Sequence, residues 1–102
     1  MTQEKILSFL KELKSELEED GIEKIALFGS FSTHKENVYS DIDIAIKKKN
    51  NFLEEHTAYE YLDLISKIKY RVMKVLHLPS DVFDLDSQSS FKKQIEKELI
   101  YV

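Results

Sequence analysis

The sequence predicts an α/β (α+β) domain in which helices flank one β-sheet. Two observations carry that expectation. Segments with helical periodicity alternate with short segments of strand periodicity along the whole chain. The chain also has 102 residues, of which 42% are hydrophobic, enough for the core of one domain spanning residues 1–102 and too short for two.

The elements follow in order. Ile6, Phe9, Leu10, Leu13 and Leu17 recur at helical spacing with Lys and Glu between them, so the chain opens with an amphipathic helix. Thr2 is its expected N-cap and Gly21 its C-terminal stop. Glu23 to Phe28 turns progressively apolar and ends at Gly29, the pattern of a strand running into the interior. A polar stretch from Ser30 to Ser40 contains a short helix or turn. Asp41-Ile42-Asp43-Ile44-Ala45-Ile46 then alternates strictly, placing Ile42, Ile44 and Ile46 on one face and Asp41, Asp43 and Ala45 on the other. Lys47 to Asn51 reads as a basic polar turn. Asn51 and Glu54 resemble a capping box that opens one long helix to about Leu76, with a buried stripe of Leu62, Ile65, Val72 and Leu76 widened by Ile68 and Val75. Pro79 ends that region. A strand from Asp81 to Leu85, a short helix from Ser90 to about Glu98 and a final edge strand, Leu99 to Val102, complete the order. The residues alone leave the strand directions open.

Composition excludes several chemistries. There is no cysteine, hence no disulfide, thiolate zinc site or cysteine nucleophile. Any metal would be held by carboxylates or His, which points to hard cations such as Mg²⁺. Fifteen basic against 19 acidic residues give a net charge of −4, so direct nucleic-acid binding is not expected. No apolar run approaches the roughly 20 residues of a membrane span, and the N-terminus lacks the pattern of a secretory signal. The expected setting is cytoplasmic.

Two features carry chemistry. Asp41 and Asp43 are i and i+2 on a strand, so both carboxylates face one side and can converge on a divalent cation. Carboxylates among isoleucines need such compensation, because burying them unpaired costs several kcal/mol; the bland alternative is a turn cap and a solvent-facing side chain. Gly29-Ser30, at the end of a strand, lets an anion approach the main chain and adds a hydroxyl donor, although most Gly-Ser pairs are ordinary turns.

The spacing joins them. Ten residues separate Ser30 from Asp41, and the resulting Gly29-Ser30-x10-Asp41-x-Asp43 resembles the signature of the nucleotidyltransferase superfamily with the DNA polymerase β-like fold, in its minimal nucleotidyltransferase (MNT) branch. The resemblance extends over nearly the whole chain through Phe28-Gly29-Ser30-Phe31, Ser40-Asp41-Ile42-Asp43-Ile44, Asp81-Val82-Phe83-Asp84-Leu85 and the closing Ile95 to Tyr101. It implies a single mixed sheet and transfer of a nucleoside monophosphate from a nucleoside triphosphate to a hydroxyl. By this resemblance Gly29 and Ser30 bind the nucleotide, and Asp41 and Asp43 are the paired catalytic ligands of Mg²⁺, two ions roughly 3.5–4 Å apart. A third carboxylate is expected from the neighbouring strand. Of Asp81, Asp84 and Asp86, Asp81 best matches the family position, while Asp84 reads as structural and Asp86 as a cap or loop residue. The family's small residue, Arg or Lys, and Gly after the Gly-Ser pair are here Ser32-Thr33-His34, so one expected phosphate contact is missing.

Such a short chain has little left to grip an acceptor, which implies a separate subunit or a homo- or hetero-oligomer. MNT proteins are often the antitoxin partners of small helical HEPN proteins, and some transfer AMP from ATP to a tyrosine of the toxin. The leading expectation is that activity; the alternatives are a non-catalytic module that masks a HEPN partner and nucleotidylation of a small molecule. Lys47 to Lys49 and His34 are expected to be solvated, and Tyr59, Tyr61 and Tyr70 to serve as aromatic core or a docking surface along their helix rather than to stack on a ligand.

Overall fold

The computed structural model describes all residues, Met1–Val102. Its elements are α1 (Gln3–Glu19), β1 (Ile22–Phe28), α2 (Ser30–Thr33), β2 (Ile42–Lys48), α3 (Phe52–Glu55), α4 (Ala58–Leu76), β3 (Ser80–Asp84), α5 (Ser90–Ile95) and β4 (Ile100–Tyr101). The four strands form one mixed sheet in the order β3-β2-β1-β4. β1 is antiparallel to both neighbours, and β2 is parallel to β3. Helices α3 and α4 supply the crossover that a parallel pair needs. This is an α+β sandwich with a mixed sheet.

Thr2 caps α1, its hydroxyl accepting from Lys5 N–H at 3.2 Å. Ile6, Phe9, Leu10, Leu13 and Leu17 bury the stripe that their spacing predicts. On the sheet, Ile25 and Leu27 of β1 join Ile42, Ile44 and Ile46 of β2 beneath α1 and α4 in the main core. Ile22 joins them although its parity is wrong. The β1–β2 register slips between Ile22 and Lys24, and that extra residue returns Ile22 to the core side.

The region between the second and third strands departs from the sequence expectation. The long helix is two helices, broken at His56, whose backbone is extended. Asn51 makes no capping bond; its side chain donates to Glu55 Oε1 at 2.9 Å. The capping box lies instead at Thr57 and Glu60, with reciprocal bonds of 3.1 and 3.2 Å. Restarting the helix shifts its phase. The buried stripe is Leu64, Ile68, Val72 and Leu76, while Leu62 and Val75 are exposed and Ile65 is half-buried. β4 is shorter than expected but does form an edge of the sheet, against β1.

Lys47 and Lys48 also differ from the predicted turn, because both belong to β2. Lys48 pairs with Asp84 at 2.5 Å and Asp86 at 3.3 Å, and Lys47 with Asp86 at 3.2 Å. Tyr61 Oη donates to Asp84 Oδ2 at 2.6 Å, tying α4 to β3. Burial opposes ionisation of Asp84, but bonds from Lys48 and Tyr61 outweigh it and hold the carboxyl below its ordinary range. Asp84 is therefore structural, on the helix-covered face.

Tyr61→Phe should cost about 1.5–3 kcal/mol in denaturant melts at neutral pH, as expected for a hydrogen bond to a charged acceptor. A depressed carboxyl stabilises the fold only while ionised. The difference from wild type should therefore hold above the ordinary Asp pKa of 3.8 and shrink as the pH falls below it, through the lowered value in the fold.

Candidate active site

The opposite face of the sheet carries Asp43 and Asp81, two of the residues singled out from the sequence. Register sets Phe28 of β1 beside Asp43 of β2, and Asp43 beside Asp81 of β3. These three residues form one row across the sheet. Because β2 alternates, Asp43 shares a face with Ala45 and not with the isoleucines. Ala26, Phe28, Ala45, Leu85 and Ile95 form a second, smaller core there, with Phe83 and Leu99 packed against it. Between this core and the row lies a cavity of about 460 Å³ whose lining includes Gly29, Asp43, Asp81, Phe83, Phe91 and Glu98.

Gly29 follows Phe28 where β1 gives way to α2. Its backbone, at φ 77° and ψ −156°, lies in a region that is essentially reserved for glycine. A Cβ there would fall 2.1 Å from Asp43 Oδ2. Glycine thus serves two ends: it makes the turn and leaves room for the carboxylate. The loop that follows is closely bonded. Ser32 and Thr33 N–H both donate to Gly29 O, and Lys35 N–H donates to Ser30 O. Gln3 Nε2 donates to the carbonyls of Phe31 and Ser32 at 3.1 and 3.0 Å. None of these bonds uses the Ser30 hydroxyl.

Asp43 is half-buried, and its pKa is pushed up to about 6, first by burial and then by the charges of Asp81, Asp41 and Glu98. Asp41 precedes β2 and is exposed, as is Asp81 at the cavity lip. The sequence-predicted residues therefore divide. Gly29, Asp43 and Asp81 share the cavity wall, whereas Asp41 and Ser30 flank it. No three acidic or imidazole side chains converge closely enough to hold an ion as they stand. The donor chemistry nonetheless fits a hard cation. The wall offers carboxylate oxygens and neither histidine nor lysine, and the like-charge strain on Asp43 is what a divalent cation relieves.

Sequence reasoning did not single out Phe83, Phe91, Gln94 or Glu98. Phe83, Phe28 and Phe91 meet edge to face, with ring centroids 5.1–6.4 Å apart. Phe91, Gln94, Ile95 and Glu98 stand at i, i+3, i+4 and i+7. That spacing marks one helical face, a signal that the Lys-rich surroundings hide. His34 lies exposed at the end of α2, in left-handed backbone.

Known proteins resemble this chain in sequence and fold. The family model described as "Polymerase beta, Nucleotidyltransferase" matches residues 5–102. A Methanocaldococcus jannaschii protein named "Putative protein adenylyltransferase MJ1379" is 36% identical over 83 residues, covering 79% of this chain and 77% of that protein. A chain in a solved structure described as "Crystal structure of the toxin-antitoxin with AMP-PNP" aligns with a TM-score of 0.54 at 25% identity. That alignment covers 79% of this chain and 60% of the other, so the present chain spans well under two-thirds of that neighbour.

A raised carboxyl destabilises the fold as it ionises: the stability it contributes is full below the ordinary Asp pKa of 3.8 and is lost as the pH rises through about 6. In metal-free buffer at pH 7.5, Asp43→Asn should thus be more stable than wild type by roughly 1 kcal/mol, after discounting for solvent screening of a half-exposed group. Mg²⁺ should raise the wild-type melting temperature at that pH, less so below pH 6, and leave the variant's unchanged.

Proposed function

Since this chain belongs to the polymerase beta nucleotidyltransferase family, it is a nucleotidyltransferase, and we propose that it moves AMP from ATP to a tyrosine hydroxyl of a HEPN-type toxin. One observation supports placing that chemistry here: the register sets Phe28, Asp43 and Asp81 in one row, and Asp43, Asp81 and the Gly29 that follows Phe28 line one cavity. The relative named as a protein adenylyltransferase supports AMP as the transferred group and a protein as the acceptor. The toxin-antitoxin structure with AMP-PNP supports an adenine nucleotide and a toxin partner.

In this reading Asp41, Asp43 and Asp81 hold Mg²⁺, with exposed Asp41 and Asp81 turning in towards Asp43. When bound, the metal lowers the pKa of the attacking hydroxyl and neutralises charge on the departing pyrophosphate. The Gly29-Ser30 turn takes the triphosphate: Gly29, whose N–H is held by Glu98, gives the phosphate room against the main chain, and the Ser30 hydroxyl donates to a phosphate oxygen. The acceptor oxygen bonds to the α-phosphorus as the bond to the bridging oxygen breaks. Phe83 and Phe91 give the cavity an apolar wall that excludes water beside the reacting atoms.

A second reading has a specific observation behind it. No Lys or Arg side chain lines the cavity, and Ser32-Thr33-His34 supplies no basic phosphate contact. A chain that neutralises its partner by masking alone would tolerate that lack.

Incubating the chain with Mg²⁺, ATP and a cognate HEPN partner should add 329 Da, one adenylyl group, to the partner's mass. Asp41→Asn/Asp43→Asn should abolish the addition by at least a hundredfold. An unmodified partner, neutralised equally well by that variant, would establish masking instead.

A further inference from the structure

Glu98 lies in the turn between α5 and β4, and its main chain and side chain both reach the Gly29–Ser32 loop. Its Oε1 accepts from Gly29 N–H at 2.9 Å, and its carbonyl oxygen accepts from the Ser32 hydroxyl. On the far side, Gln3 holds the carbonyls of Phe31 and Ser32. The loop is thus gripped from the start of α1 and from the approach to β4, two segments far apart in sequence.

A carboxylate is a costly choice of acceptor at this point. Asp43 already faces the charges of Asp81 and Asp41 here, and Glu98 adds to them. A main-chain N–H asks only for an oxygen. What Glu98 offers is reach: from the turn, its side chain spans to Gly29, the residue whose main-chain geometry fixes both the strand exit and the space for Asp43.

We infer that Glu98 is a positioning residue, whose bond to Gly29 N–H holds the Gly29–Ser32 loop in the shape that receives the triphosphate. The inference rests on the nucleotidyltransferase reading of the site. It makes the bond essential and the charge dispensable, which separates three substitutions. E98Q keeps an oxygen in place and removes the charge. E98D keeps the charge and withdraws the oxygen by one methylene. E98A removes both.

The test is calorimetric titration of each full-length variant with Mg²⁺-ATP, beside ¹⁵N-correlated NMR spectra. The chain has only two glycines, so the Gly29 amide is readily resolved from that of Gly21. E98Q should bind within about twofold of wild type, whereas E98D and E98A should bind about tenfold more weakly. In the two weak variants the Gly29 resonance and those of Ser30 to Thr33 should move while core resonances stay. If E98A does not fold, E98D against E98Q decides the matter. Binding of E98D equal to wild type, or of E98Q as weak as E98D, overturns the inference. If wild type itself binds no Mg²⁺-ATP, the nucleotide reading falls, and an unmoved Gly29 amide in E98D would separately dispose of the clamp.

Discussion

Everything at this site depends on the register of β2. That strand has isoleucine on one face and aspartate on the other, and a slip of one residue would exchange them. The slip is opposed by Ile42, Ile44 and Ile46, all fully buried beneath the helices. Main-core packing therefore pins Asp43 between Phe28 and Asp81. Ionised Asp43 resists that placement, because burial first and the neighbouring carboxylates second push its pKa up. Hydrophobic burial on one side of the sheet holds together, on the other side, charges that would otherwise separate.

The two faces also divide the charged residues by role. On the helix-covered face, Asp84 meets Lys48 and Tyr61, and burial is compensated within the protein. On the open face, Asp43 and Asp81 meet only one another and Glu98 among charged groups lining the cavity. Residues of one type, three positions apart on β3, thus have opposite fates because alternation sends them to opposite sides. A compensated carboxylate serves stability, and an uncompensated one is available to a cation.

Much of this was legible in the sequence, and the failures are instructive. Strict alternation at residues 41–46 gave the strand and its faces, and the capping Thr2 and periodic leucines gave α1. The antiparallel and parallel pairings were not readable from the residues, because direction depends on crossovers that local pattern does not encode. The split of α3 from α4 escaped because Asn51–Glu54 and Thr57–Glu60 both carry capping signatures. Only the packed structure selects the second, and the choice decides whether Leu62 or Leu64 is buried. Lys47 and Lys48 read as part of a basic polar turn, yet they extend β2, neutralised by Asp84 at the end of β3 and Asp86 in the turn beyond it. At the site, the spacing of Gly29-Ser30 and the aspartates was visible. Glu98 was not, since nothing local marks a glutamate in a Lys- and Glu-rich segment as the partner of an amide 69 positions away.

The pairing of Gly29 with Asp43 also constrains how such a chain can change over generations. The space denied to a Cβ at position 29 is filled by the Asp43 side chain, so a smaller residue at 43 would remove that clash. It would not remove the left-handed backbone, which alone still favours glycine. The two positions are therefore released unequally: aspartate is free to drift once chemistry is no longer selected, and glycine is not. A descendant retired from catalysis would be recognised by a surviving glycine facing an empty place where the acid once stood.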